Sequence, residues 1–151
     1  MQPSSDPWLP PPAGSLKLNS NAVVKPGSSV LGTDVVLRDG QGKVVAASAK
    51  PLLGLFSTEL GELLALREGL LLAKDSNLVV EWVELDTVNF FFLDPIVCDV
   101  KALFRSVRFS KCHVIPRSRN GMAHSLASLA FSSKEDLCWF NPKPNFLVGL
   151  L

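Results

Sequence analysis

Residues 57–75 read STELGELLALREGLLLAKD, and their apolar side chains recur with the period of an α-helix. Ser57 or Thr58 is placed to cap its first turn, and Glu59 to complement the helix dipole. One residue breaks the pattern. Glu62 is followed by Leu66, Gly69 and Ala73 at four, seven and eleven residues, so it lies on the line that ought to be buried. An acid there is either a salt-bridged boundary residue or a ligand at an active site. Gly69, on the same line, predicts close approach of a sheet.

Three strands are expected before this helix. SLKLNSNAVV (15–24) alternates apolar Leu16 and Leu18 with polar Lys17 and Asn19, and a second strand is expected over 32–39. DGQG (39–42) supplies a tight hairpin turn, and a third strand follows over 43–53. After the helix, LVVEWVEL (78–85) is almost continuously apolar, as in a strand covered on both faces. A helix between two strands suggests a crossover and a parallel pair. Residues 86–106 are hard to read, beyond one or two short helices. VRFSKCHVIP (107–116) reads as a fifth strand and 122–131 as a last helix.

A chain of 151 residues with 47% hydrophobic and 19% charged residues fits one globular domain. The expected division is an extended Pro-rich leader (1–14), a domain (15–133) and a C-terminal strap packed on it (134–151). No run approaches the ~20 apolar residues that span a membrane, and the opening residues do not resemble a signal peptide. An intracellular location, nuclear or cytoplasmic, is therefore expected. Cys98, Cys112 and Cys138 are odd in number and widely spaced, which favours packed reduced thiols over a disulfide framework or zinc site.

Charge is unevenly distributed. Residues 59–99 hold nine acids and two bases, whereas 100–134 hold seven bases and no acid. An acidic middle could gather cations and a basic strip could follow phosphates, although a solvated charged surface has the same composition.

The order of elements, with the segments VVLRDGQGKVVA, GELLALREGLLLA, VVEWVELDT and CHVIPRSRNGMAHSLASLA, resembles the type 1 ribonuclease H fold. The resemblance is closest to ribonuclease H-like domains of plant retroelement descent, a reverse-transcriptase-like group. It implies an α/β architecture: a five-stranded mixed sheet in order 3-2-1-4-5 flanked by helices, with four acids over the central strands. There Mg2+ or Mn2+ would support cleavage of the RNA strand of an RNA/DNA hybrid.

Carried over residue by residue, the second and third acids fall on Glu62 and Asp86. The first falls on Asn21 and the fourth on His124, each in place of an aspartate. Glu62 and Asp86 are then the remaining metal ligands, and weak ones, because an amide offers a neutral carbonyl where the family has a full charge. The basic strip, with Arg105, Arg108, Lys111, Arg117 and Arg119, lies beside that site and suits backbone contacts to a nucleic acid. Asn19, two residues from Asn21, is either a phosphate or sugar contact or a solvated strand residue.

Three functions follow from the resemblance. The first is a nucleic-acid-binding domain whose metal-dependent cleavage is weakened or lost. The second is a protein-interaction module using Phe90, Phe91, Phe92 and the apolar tail. The third is a still-active hybrid ribonuclease in which Asp34 or Asp39 compensates, although the hairpin assignment gives no reason for either to reach the site.

Overall fold

A computed structural model describes residues 8–24, 27, 29–54, 57–85, 111–114 and 137–140, with backbone alone at 24, 111–114, 137 and 139. Strands β1 (Lys17–Val24), β2 (Val30–Arg38) and β3 (Val44–Leu53) form the expected antiparallel meander. The turn between β2 and β3 is closed by Gly42 N–H donating to Asp39 O at 2.9 Å, while Asp39 Oδ1 accepts from the Gln41 and Lys43 amides. Of its two glycines only Gly42 takes a positive φ, 78°. Gly40 is needed for space, since a Cβ there would lie 3.1 Å from the backbone of Pro12 and Ala13.

Helix α1 (Thr58–Asp75) begins at Ser57, whose hydroxyl accepts from Leu60 N at 3.1 Å. Its buried line includes Glu62, Leu66, Gly69 and Ala73, as the spacing predicts. A Cβ on Gly69 would come within 2.9 Å of Leu18 and 3.0 Å of Val35, so glycine lets the helix settle on β1 and β2. Leu18, Val35, Leu37, Leu63, Leu66 and Leu70 form the core beneath it. Burying side chains of this kind contributes about 1.5–3 kcal/mol each.

The chain then crosses to β4 (Trp82–Leu85), which lies parallel to β1 and begins four residues later than 78–85 suggested. Next to β4 runs β5 (Lys111–Val114), also parallel; the rest of the expected strand 107–116 lies outside the described residues. The sheet order is thus 3-2-1-4-5, as the resemblance implies.

It has one more strand. β6 (Leu137–Phe140) pairs antiparallel with β3, giving β5-β4-β1-β2-β3-β6. The tail was expected as an irregular strap. Its short run LCWF, ahead of a Pro-containing stretch, instead pairs with the open edge of β3. Cys138 in that strand is exposed rather than packed.

Candidate metal and nucleic-acid site

Side chains alternate along β1, so Leu18, Ser20 and Ala22 share the α1 face while Lys17, Asn19 and Asn21 point to the other. The opposite face is polar and yet buried. Lys17 Nζ and Glu84 Oε2 form an ion pair at 3.1 Å with both side chains at most 10% exposed. Asn19 Nδ2 donates to Glu84 Oε1 at 3.1 Å, and Trp8 Nε1 donates to Asn19 Oδ1 at 3.0 Å. Arg38 stacks on the Trp8 ring, 3.7 Å from its centroid. Burial lowers the Arg38 pKa to about 10 against the opposing pull of Glu84 and Asp34.

This network revises the place of Asn19. Both ends of its amide are engaged inside the protein and it is fully buried, which does not support a phosphate or sugar contact or a solvated surface residue. The Trp8 contact also fixes part of the Pro-rich leader to the sheet. No local pattern in the sequence pairs Trp8, Lys17, Arg38 and Glu84 with one another. The available signal was two-residue alternation, which puts Lys17 and Asn19 on one strand face.

Asn21 and Glu62 meet at the Ala22 backbone amide. That N–H donates to Asn21 Oδ1 at 2.8 Å and to Glu62 Oε1 at 3.3 Å. Asn21 is fully buried and Glu62 is 2% exposed. β1 registers with β4 only over Lys17, Leu18 and Asn19, so the Ala22 amide lies past the end of that ladder. Glu62 from α1 fills that position. Two of the four residues implied by the resemblance are thus brought together.

The other two, Asp86 and His124, lie outside the described residues, as do Arg105, Arg108, Arg117, Arg119 and the Phe90–Phe92 run. Asp86 follows directly on Leu85, the last residue of β4. Lys111 opens β5, in register with Trp82.

The residue that sequence reading set aside is Asp34. It stands directly opposite Asn21 in the β1–β2 ladder, so the two side chains lie on one face. It is 1% exposed, and neither carboxylate oxygen has a hydrogen-bond partner. Burial foremost, then the charge of Glu62, raise its pKa well above the ordinary value. The charge of Arg38 and the backbone N–H of Asn21 draw it down by less. Asp39, the other compensating acid considered, caps the hairpin turn instead. An acid in the apolar run of β2 was the signal for Asp34, the same kind that had marked Glu62.

A carboxyl with a raised folded-state pKa binds its proton more tightly folded than unfolded. Its contribution to stability is complete below the ordinary aspartate value of about 3.9 and is lost as the pH rises through the folded value. In chelator, Asp34→Asn is therefore expected to raise the melting temperature at pH 7, at about 2–4 °C per kcal/mol for a chain this long. The gain shrinks toward pH 4. Thermal melts of both proteins across this range check it, and an equal gain at both ends would contradict it.

Among the described residues, no three His, Cys, Asp or Glu side chains converge as a metal cluster. No described helix is long and apolar enough to cross a membrane.

The sheet order, the helix on its central strands and the acid at their end define a ribonuclease H-like fold, and solved structures share it. The ribonuclease H1 of the archaeon Halobacterium salinarum matches with a TM-score of 0.69 at 19% identity, over 79% of this chain and 98% of that one. The N-terminal RNase H domain of Rv2228c from Mycobacterium tuberculosis gives 0.68 at 20% identity, over 78% and 94%. LC11-RNase H1, solved in complex with an RNA/DNA hybrid, gives 0.69 at 18%, over 78% and 97%. No protein of curated function matches the sequence. Residues 19–130 match the reverse transcriptase-like family, and the chain belongs to it.

Proposed function

We propose that the chain is a nucleic-acid-binding ribonuclease H-like domain, directed at RNA/DNA hybrid, in which metal-dependent cleavage of the RNA strand is weakened or lost. The observation that carries this reading is Asn21. At the position of the family's first acid stands a buried amide whose carbonyl oxygen accepts from its own strand, at Ala22 N. In the family, divalent Mg2+ or Mn2+ activates the attacking water and stabilises the leaving oxygen. A neutral ligand in the inner position weakens their hold, and loss of even an outer partner lowers metal affinity about 10–100-fold.

The hybrid as partner is supported by the shared fold with LC11-RNase H1, whose structure contains one. A retroelement origin is supported by the family and by similarity to a foamy viral protease-reverse transcriptase solved with dsDNA, with a TM-score of 0.58 at 15% identity. The basic residues of 100–134 would supply the phosphate contacts, which read backbone shape rather than sequence.

The test is a hybrid-binding titration in chelator over increasing salt, followed by a cleavage assay in Mg2+ and Mn2+. Binding that weakens steadily with salt and leaves the RNA strand intact is expected. Robust cleavage by the unmodified chain would overturn the loss of catalysis, and absence of binding at low salt would overturn the nucleic-acid role.

A further inference from the structure

Arg38 is a buried cation with no counter-ion in contact. It is 5% exposed, makes no ion pair among the described residues, and has its Nε buried without a hydrogen-bond partner. A guanidinium is built from donors, and a buried donor left unmade is costly. What covers the group is the Trp8 ring, 3.7 Å away, which attracts the charge but accepts from none of its N–H groups in their plane. Trp8 is half-buried and so forms the outer member of the stack. Of the two acids that act on Arg38, Glu84 is taken by Lys17 and Asn19, and Asp34 stands four residues back along β2.

The segment that carries Trp8 is lightly held. Among the described residues, 8–14 share no backbone–backbone hydrogen bond with the sheet, and Pro10, Pro11 and Pro12 have no N–H to give. Two side-chain bonds fasten it, Trp8 Nε1 to Asn19 Oδ1 and Lys17 Nζ to Leu9 O, together with the close pass of residues 11–13 over Gly40. Leu9 is 53% exposed, and Gly14, at a φ of 85°, turns the chain toward β1. Beneath this strap Arg38 stands opposite Lys17 in the β1–β2 ladder, on the face that carries Asn21 and about 13 Å along the strand from it.

We propose that Arg38 is a phosphate-binding residue held in reserve by the Trp8 strap, and that it takes one phosphate group of a nucleic-acid backbone when the strap lifts. A guanidinium grips a phosphate through two parallel N–H···O bonds, each stronger than a bond between neutral groups, whereas the stack engages only its flat face. With Lys17 paired to Glu84, the Arg38 charge is the one left over for an anion. Trp8 and the phosphate compete for that one cation, so the leader is an autoinhibitory contact. The nucleic-acid backbone as source of the phosphate rests on the reading under Proposed function; the anion site itself does not.

The experiment is RNA/DNA hybrid binding in chelator over increasing salt, with the full chain, Trp8→Ala, and Trp8→Ala combined with Arg38→Gln. Trp8→Ala is expected to bind about 2- to 30-fold tighter at low salt, the range that freeing one cation–π stack gives. Its affinity is also expected to fall more steeply with salt, by about 0.7–0.9 in log–log slope, the mark of one added phosphate contact. The double variant returns both quantities to those of the unmodified chain. Thermal melting establishes that the variants are folded. If Trp8→Ala is not, Trp8→Phe keeps a ring and drops the bond to Asn19, and smaller changes in the same direction are expected. An unchanged slope in the folded strap variant, or a slope still steep in the double variant, overturns the proposal. A second arm titrates sodium pyrophosphate into the strap variant and follows the Arg38 Nε–Hε resonance. A shift is expected, and none up to about 10 mM, where even a millimolar site is nearly filled, overturns the anion site. Hybrid bound with an unchanged slope removes the Arg38 proposal alone, whereas a pyrophosphate shift without hybrid affinity in any form removes the nucleic-acid role and leaves a site for free phosphate.

Discussion

Asn21→Asp is expected to cleave the RNA strand of an RNA/DNA hybrid in Mg2+ at least about 100-fold faster than the unmodified chain. The substitution is nearly isosteric, and the backbone that holds it is registered with β2 along the whole of β1. It restores a negative charge beside Glu62, where Ala22 N already joins the two side chains. A restored inner ligand acts on the affinity for the ion and on the charge available as the phosphodiester breaks. Without metal the variant is expected to be less stable, because three carboxylates then share one buried end of the sheet. Single-turnover cleavage at saturating protein measures the rate ratio directly. A ratio near one would show that Asn21 does not limit the chemistry.

Lys17→Met is expected to lose about 3–5 kcal/mol of folding stability, the usual consequence of stranding one member of a buried ion pair. Lys17 Nζ donates to Glu84 Oε2 at 3.1 Å and also meets the backbone oxygen of Leu9. It lies 5.3 Å from the Trp8 ring centroid and 5.7 Å from that of Trp82. Methionine keeps much of the stem but leaves the Glu84 carboxylate to the Asn19 amide, which still donates to it. The double variant Lys17→Met with Glu84→Gln removes the stranded charge and is expected to recover part of the loss. Urea denaturation of the two variants and the unmodified chain measures both effects, and equal stability of all three would contradict the role given to the pair.

The fold was legible because its signals are local and periodic. Two-residue alternation marks β1 and helical spacing marks α1. The break at Glu62 marks the end of that helix that meets β1 at Ala22, and Gly69 announces the close packing on Leu18 and Val35. What was not legible depends on pairing between distant strands. β6 is four residues long and takes its identity from the free edge of β3. Nothing in LCWF alone distinguishes it from a packed loop.

The same holds at the site. Asn21 could be placed by resemblance and Glu62 by position on a helix face, but the importance of Asp34 comes from register: it faces Asn21 across β1 and β2. Register is set by the whole ladder, and a slip of one residue would turn Asp34 to the other face of the sheet. Likewise Asn19 looked like a surface contact until Trp8, eleven residues earlier, was found donating to it.

The central claim, that the site survives but no longer holds a metal pair, is tested most directly by electron paramagnetic resonance of Mn2+ in a frozen complex of the chain with RNA/DNA hybrid. Two ions about 4 Å apart, as in a two-metal site, couple magnetically, whereas a single ion does not. The expected spectrum shows no coupled pair, with one emerging in Asn21→Asp. A coupled pair in the unmodified chain would contradict the claim.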